Sequence, residues 1–552
     1  MSDQEKKTVK TVIDGTEYEF PEGLTILEAA RSVGVEIPHY CYHQGLSIAG
    51  ACRMCLVEIE KIPKLQISCY MTVGDGMVIH TRNERVEKAR RAILEFHLVN
   101  HPLDCPVCDQ AGECGLQEYY MMHGLHISRV AENKVKKTKK AFPVGPHVML
   151  DQERCVVCSR CVRFCAEISK SFELGVFERG DRSEIDVFQD HQLDNPYSAN
   201  VVDICPVGAL TDKDFRFKTR VWYLDRSDSI CPGCANGCNI EIHYNLKRPY
   251  KNEGRRIARL KPRYNPEVND WWICDEGRYC FKFVDDRDRL LEPALLLDGQ
   301  QQQAKASWEE ALAQAATSLQ AVASGAKKGE VAFLVSPRAA NEELHLLQRI
   351  LAEQLPGCIV AFSSATAQDT GGDDFLRKAD KNPNTAGAEL IGLAGDRADV
   401  ISLEQLKEKT SAGEIGALYI CDHDPLSLPS DVGRGWKESL ARVEVLIYQG
   451  TNNCETSRLA HQVVLPAAAF AEREGTLVNC HGRLQIQRKA FDPLGDSLPG
   501  WEIIQRLGAA LGGSYSFKSA EEVFLDLANN NRAFAGLDYQ KTGPAGINLD
   551  LG

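Results

Sequence analysis

The sequence predicts a multi-domain chain of mixed class, α+β in its first half and α/β in its second, and three observations predict it. At 552 residues it exceeds what one hydrophobic core organises, so three or more domains are expected. Of its 21 cysteines, 17 fall within residues 1–280 and four beyond, as if two different molecules were joined near residue 285. Past that point helical periodicity alternates with short apolar runs, the pattern of a layered sheet with helices on its faces.

The elements follow in order. Residues 8–20 read as a β-hairpin, VKTVI and TEYEF around an Asp14-Gly15 turn. Thr25 and Glu28 have capping-box spacing before the short helix LEAARSV, which Gly34 ends. Residues 84–99 read as an amphipathic helix with Val86, Ala89, Ala92, Ile93 and Phe96 on one face. Residues 131–146 are lysine-rich and then punctuated by Pro and Gly, which predicts a linker. In the second half SWEEALAQAATSLQAV and EELHLLQRILAEQL read as helices, and VAFLVS, CIVAF, ALYIC and VEVLIYQG as buried strands. This half carries neither a G-x-G-x-x-G fingerprint nor a P-loop.

Composition narrows the function. A formal net charge of −13 argues against a nucleic-acid partner. Two basic runs, Lys134 to Lys140 and Arg255 to Arg263, read as solvated linker or surface rather than as docking patches. MSDQEKKTVK has no apolar run behind it, so no signal peptide is expected, and no stretch approaches a membrane span. Cysteines gathered in a chain without export signals favour metal sites over disulfides.

Four sets of candidate ligands result. Cys41, Cys52, Cys55 and Cys69 have the spacing C-x10-C-x2-C-x13-C, with small residues in the first loop that can wrap a flat two-iron cluster. A four-cysteine zinc site usually has two CxxC pairs, and here there is one. His101, Cys105, Cys108 and Cys114 lie in HPLDCPVCDQAGECG, a turning loop able to hold a [4Fe–4S] cube with one imidazole ligand. Zinc held by one histidine and three cysteines fits that spacing too, and local sequence leaves the choice open.

Cys155, Cys158, Cys161 and Cys165 form the bacterial C-x2-C-x2-C-x3-C run, with a distant Cys205-Pro206. In two-cluster ferredoxins the fourth cysteine of such a run serves the other cluster, so Cys205 completes this cube and Cys165 is left as a buried, unligated thiol. Cys231, Cys234 and Cys238 give a C-x2-C-x3-C triad for another cube, with Cys274 and Cys280 competing for the fourth position. Several redox centres in one stretch make sense as a relay, tuned by ligand identity, hydrogen bonds to sulfur and burial.

The order of these motifs resembles that of the large iron–sulfur subunit, the G subunit, of bacterial respiratory NADH:quinone oxidoreductase (complex I). GACRMCLVEIE, NHPLDCPVCDQAGECGLQ, ERCVVCSRCVRFC and DICPVGAL carry the resemblance, which runs over essentially the whole chain. It implies a plant-type, β-grasp [2Fe–2S] domain at 1–83, a His-ligated [4Fe–4S] domain at 84–130 and a ferredoxin-like [4Fe–4S] domain at 145–223. A molybdoenzyme-type [4Fe–4S] domain at 224–285 and a truncated molybdopterin-oxidoreductase-like domain at 286–552 follow. EGTLVNCHGRLQ, after VVLPAAAF, is typical of that last family. The likeness assigns the His101 set to iron–sulfur rather than zinc, and Cys205 to the third centre. It selects Cys274, within the W-x-C-D-x-G-R segment, for a fourth centre lying off the main electron path.

By this resemblance the chain carries one [2Fe–2S] and three [4Fe–4S] clusters and no molybdenum cofactor. It ends at Gly552, before the barrel that would close over a pterin, and Cys358, Cys421, Cys454 and Cys480 are expected to be core thiols. The implied role is an electron relay within a proton-translocating oxidoreductase, without an NADH or quinone active site of its own. The implied partners are the FMN/NADH-binding subunit, its small [2Fe–2S] partner and the downstream [4Fe–4S] and quinone-site subunits. The implied location is peripheral, on the cytoplasmic side of the cell membrane, with contact to the membrane only through partners. The alternative machine is an NAD-linked hydrogenase or formate dehydrogenase using the same module for electron transfer.

Overall fold

The computed structural model describes residues 7–295, 304–363, 371–394, 400–429 and 433–549. Two compact units form, residues 1–224 and 225–552.

The first unit begins with the expected hairpin, Thr8–Ile13 against Thr16–Pro21. Its turn holds Asp14 at φ 48° and Gly15 at φ 87°, the doubly left-handed geometry that matches strand twist in a two-residue loop. Thr8–Ile13 also pairs in parallel with Met77–His80, which pairs antiparallel with Leu56–Ile59. The sheet cradles the helix Ile26–Ser32, where the Thr25 hydroxyl accepts from Glu28 N–H and the Glu28 carboxylate accepts from Thr25 N–H. Ile13, Phe20, Ile26, Leu27, Ile37, Val57 and Ile79 fill the core between them, and Cys55 and Cys69 pack into the same cluster. This is a β-grasp arrangement with two candidate ligands built into its core.

The next helix runs over Glu84–Leu98, and its buried face is the expected one only in part: Val86 is buried and Ala89 and Ile93 are half-buried. Val86, Arg90 and Leu94 are the buried positions, while Ala92 is exposed and Phe96 is 78% exposed. The i, i+4 stripe includes Arg90, which is buried and reaches the Leu56 carbonyl and Glu87.

Residues 131–146 also differ from a free linker. Ala141–Pro143 pairs with Val148–Asp151, which pairs with Leu210–Asp212. The lysines are mostly exposed, as expected of a solvated run, yet several donate to neighbouring segments. Lys134 Nζ binds the Leu98 and Val99 carbonyls at the end of the preceding helix, at 2.9 and 3.0 Å. Lys139 meets Asp186, and Lys140 meets Asp104 and Glu153. In the second basic run Arg256 binds Asp285 and Glu472, and Arg259 binds His243.

The second unit opens with an antiparallel sheet of Asp225–Ile230, Asn239–Tyr244 and Ile257–Pro262, followed by the short helix Asp275–Tyr279. An eight-stranded sheet follows. Its six parallel strands, in chain order, are Glu330–Val335, Ile359–Phe362, Val400–Ser402, Ile415–Cys421, Val445–Gly450 and Val463–Pro466. Across the sheet they lie third, second, first, fourth, fifth, sixth, the doubly wound order. Each predicted strand of this half is present, and the helices Trp308–Ala323 and Asn341–Glu353 occupy the predicted segments. Such strands are buried on both faces, which is why they read as continuous apolar runs rather than alternations.

The strand order reverses between Glu330–Val335 and Ile415–Cys421, where open α/β sheets place ligand crevices. A crevice of about 650 Å³ lies there, lined among others by Arg338, Asp422, His423, Tyr448 and Arg473.

Candidate iron–sulfur centres

Cys41, Cys52, Cys55 and Cys69 are all buried, in two hydrogen-bonded pairs, Cys41 with Cys52 and Cys55 with Cys69. The hydrogen bond from Cys52 lowers the Cys41 thiol, against burial and with Arg163 nearby, so one thiol of that pair ionises readily. Tyr40 N–H points at Cys52 Sγ, 3.4 Å away. Arg53 sits at φ 60° between two of the cysteines, a left-handed residue that lets the loop turn back on itself.

In the second set Cys108 is buried, Cys114 half-buried and Cys105 exposed. Burial raises the Cys108 and Cys114 thiols; Arg154 opposes this at Cys108, while Cys105 raises both further. Burial lowers His101 to about 4, with Arg154 and Lys134 adding to the effect, so the imidazole is neutral and available as a nitrogen ligand. Gly208, from the loop after Cys205, packs against this set, and a Cβ there would stand 2.2 Å from Cys108 Sγ. Arg220 donates to the Cys108 and Pro106 carbonyls.

The third set shares one cavity. Cys155, Cys158, Cys161 and Cys205 line one small pocket together with Leu150, Ile185, Val207 and Leu210. Val157 and Ser159 adopt φ 50° and 59°, and Val157 N–H points at Cys155 Sγ at 3.4 Å. A β-branched residue held left-handed costs about 1–3 kcal/mol and persists where the surroundings demand it. Cys165 does not line the pocket; its thiol is hydrogen-bonded to Ser171 and Ser169, and burial beside Glu173 raises it to about 12.

In the second unit Cys231, Cys234, Cys238 and Cys274 are buried together. Gly277 N–H donates to Cys274 Sγ at 3.3 Å and Asn236 Nδ2 to Cys238 Sγ at 3.2 Å. A Cβ on Gly277 would meet Cys231 Sγ at 2.9 Å and Cys274 Sγ at 3.4 Å, so both thiols face the same backbone. Cys280, the rival, is hydrogen-bonded to Cys231. Of the late cysteines only Cys421 is fully buried; Cys358 and Cys454 are half-buried, and Cys480 is exposed, contrary to the expectation of four core thiols. Cys480 lies in the turn between Gly475–Val478 and Arg483–Gln487, which presents it outward.

The donor sets suit iron–sulfur groups: soft sulfurs gathered in threes and fours, glycines where backbone meets sulfur, and N–H groups aimed at the thiols. Among the described residues no three His, Cys, Asp or Glu side chains converge on a single-ion site.

Several residues at these sites were not singled out from the sequence. Arg163 donates to the Cys41 carbonyl at 2.6 Å and to the Ser47 and Cys158 carbonyls. Arg160 donates to the Tyr42 and Ile204 carbonyls, and Ser47 N–H donates to Glu167 at 2.8 Å. The helix Arg160–Glu167, which carries Cys161, thereby fastens the first set to the third. Arg154 is buried on Asp104 and Asp151 and joins the loop of the second set to that of the third. The only sequence signal for these arginines was their position inside or beside the cysteine motifs.

Comparison with known families agrees with this layout. A 2Fe-2S iron-sulfur cluster binding domain matches residues 6–84, and an NADH-ubiquinone oxidoreductase-G iron-sulfur binding region matches 90–129. The ferredoxin-like domain of NADH-quinone oxidoreductase subunit 3 matches 145–211. A molybdopterin oxidoreductase Fe4S4 domain matches 225–286, and a molybdopterin oxidoreductase domain 384–510. The chain therefore carries iron–sulfur binding domains of both 2Fe-2S and 4Fe-4S type.

The 75 kDa subunit of NADH-ubiquinone oxidoreductase from Reclinomonas americana is 44% identical over 303 residues, 55% of this chain and 42% of that one. A solved chain of an NAD+-reducing [NiFe]-hydrogenase is 29% identical with a TM-score of 0.35, over 39% of this chain and 91% of its own. The G subunit of the NADH-quinone oxidoreductase of Rickettsia conorii is 31% identical over 628 aligned positions, covering 96% of this chain and 92% of the relative. With a likeness that runs nearly end to end through both sequences, this chain belongs to the family of NADH-quinone oxidoreductase G subunits.

Proposed function

We propose that this chain is the iron–sulfur relay subunit of an NADH:quinone oxidoreductase. It would take electrons from an NADH/FMN-binding subunit with a small [2Fe–2S] partner and deliver them to the [4Fe–4S] and quinone-site subunits. One [2Fe–2S] centre would be held by Cys41, Cys52, Cys55 and Cys69. Three [4Fe–4S] centres would be held by His101, Cys105, Cys108 and Cys114, by Cys155, Cys158, Cys161 and Cys205, and by Cys231, Cys234, Cys238 and Cys274. When bound, these groups supply one-electron storage and transfer.

The observation that carries the reading is the packing of the first three ligand sets around shared residues. Arg163 spans the first and third sets, Gly208 and Arg154 join the third to the second, and Gly115 N–H donates to the Pro206 carbonyl at 3.1 Å. Bridges of this kind fasten the ligand loops to one another, as a relay requires. The arginines also place positive charge beside sites whose thiolates and extra electrons are negative.

The chain would have no NADH or quinone active site of its own and no molybdenum cofactor. Two thiols beside the C-terminal crevice are engaged in the fold: Cys454 Sγ accepts from Ser457 N–H at 3.3 Å, and Cys421 Sγ donates to Glu343 at 3.3 Å. No helix among the described residues is long and apolar enough to cross a membrane, and attachment to the cytoplasmic face would come through partners. Copurification with quinone-arm subunits, rather than with a nickel or molybdenum subunit, separates this machine from an NAD-linked hydrogenase or formate dehydrogenase.

The test is iron and acid-labile sulfide analysis of protein prepared without oxygen, with low-temperature EPR beside a Cys274→Ser variant. Equal iron and sulfide and the loss of one [4Fe–4S] signal in the variant are expected. An unchanged spectrum would transfer the fourth ligand to Cys280 or empty that site, and zinc without sulfide would overturn the relay.

A further inference from the structure

Tyr40 precedes Cys41 of the first set in the chain, and its ring lies near Gly115, the residue after Cys114 of the second. Its N–H serves the first set, pointing at Cys52 Sγ at 3.4 Å. The ring packs edge-on against His97 with centroids 4.9 Å apart and tilts against Tyr119 at 5.3 Å. A Cβ on Gly115 would lie 3.9 Å from Tyr40 Cε1, so this edge of the ring lies beside the loop of the second set.

The side chain is wholly buried, 0% exposed, yet its hydroxyl has no hydrogen-bond partner among the described residues. A buried phenol without a partner forfeits about 1–3 kcal/mol of solvation, and native interiors rarely leave one so. An acceptor that belongs to the loaded site removes the anomaly.

We propose that the Tyr40 hydroxyl donates a hydrogen bond to a sulfur of the centre held by His101, Cys105, Cys108 and Cys114, and so sets that centre's potential. The inference rests on the assignment of that set to a [4Fe–4S] group. The reduced centre carries one more negative charge than the oxidised one, and a donor aimed at sulfur stabilises the reduced form more. Tyr40 is then a positioning residue whose backbone addresses one centre and whose side chain addresses the next. His97 and Tyr119 hold its ring in place, and Tyr119 is itself hydrogen-bonded to the His39 carbonyl at 3.4 Å.

The test is Tyr40→Phe in the assembled complex, read by EPR-monitored redox titration. The ring packing remains and only the donor is removed. The reduced-to-oxidised ratio of the His-ligated centre at a fixed potential is expected to fall roughly tenfold, about 59 mV for one electron. The [2Fe–2S] midpoint should stay in place. A shift of the [2Fe–2S] centre instead, or of neither centre, overturns the proposal.

Should the variant lose the second centre, wild-type chain with ring-deuterated tyrosine gives an independent reading. Deuteron coupling to that centre's unpaired spin must persist in Tyr119→Phe, and its absence also overturns the proposal. A wild type without any His-ligated [4Fe–4S] signal would instead sink the assignment on which the inference stands.

Discussion

Replacing Gly208 by alanine should remove the second centre and spare the first. The added Cβ would stand 2.2 Å from Cys108 Sγ, with Gln110 Cβ at 3.1 Å beside it. Ordinary contact begins near 3.4 Å, so either the sulfur or the loop must yield by about 1.2 Å. Thiolate–metal bonds are about 2.3 Å long and tolerate about 0.2 Å, so a displacement of this size takes Cys108 out of ligation. Keeping the sulfur in place would instead strain the packed loop by roughly 1–3 kcal/mol. That loop begins at Cys205, which makes the third centre the next to weaken. Iron and sulfide per chain, with EPR integration of each signal, measure the outcome. A variant showing the His-ligated signal at wild-type intensity and line shape would refute the packing argument.

Two further outcomes concern the second unit. Glu472 is 0% exposed and, against the cost of its burial, is held below the usual carboxylate range by Arg289 at 2.7 Å and Arg256 at 2.6 Å. Glu472→Gln leaves these guanidinium groups without their counter-charge, and denaturant unfolding should show a loss of about 3–5 kcal/mol; a loss below about 1 kcal/mol contradicts the account. Burial also lowers His243 to about 4 in spite of its hydrogen bond to Glu241, while Arg259 donates to its other nitrogen at 3.2 Å. Between the unfolded value of about 6.5 and the folded value the unfolded chain binds the extra proton, so stability falls as pH drops through that window. Over the whole window the effect is roughly 3 kcal/mol, and His243→Gln should flatten the profile of unfolding midpoint against pH.

Local patterns carried much of this protein. The hairpin with its Asp14-Gly15 turn, the capping box of Thr25 and Glu28, and the parallel strands of the second half formed where spacing and periodicity placed them. Each depends on residues a few positions apart, and that is the range over which a sequence reads plainly. The helix Glu84–Leu98 marks the limit of such reading. Its extent was legible, but its buried stripe includes Arg90, which reaches the Leu56 carbonyl. The lysines of 134–140 are exposed as the sequence suggests, but their acceptors, such as the Leu98 and Arg182 carbonyls, lie some 36 and 45 residues away and were not legible.

The same division runs through the site. Cysteine spacing alone nominates the sulfur ligands and the kind of metal they suit, because chemistry that binds a metal in a short loop must be written within that loop. Folding alone decides how the loops meet. Arg163 reaches the Cys41 carbonyl across 122 positions of chain and Arg220 the Cys108 carbonyl across 112. Gly208 touches Cys108, and the Tyr40 ring packs on His97 and Tyr119, on the same terms. Such contacts have no local signature, since their free energy appears only once distant segments pack together.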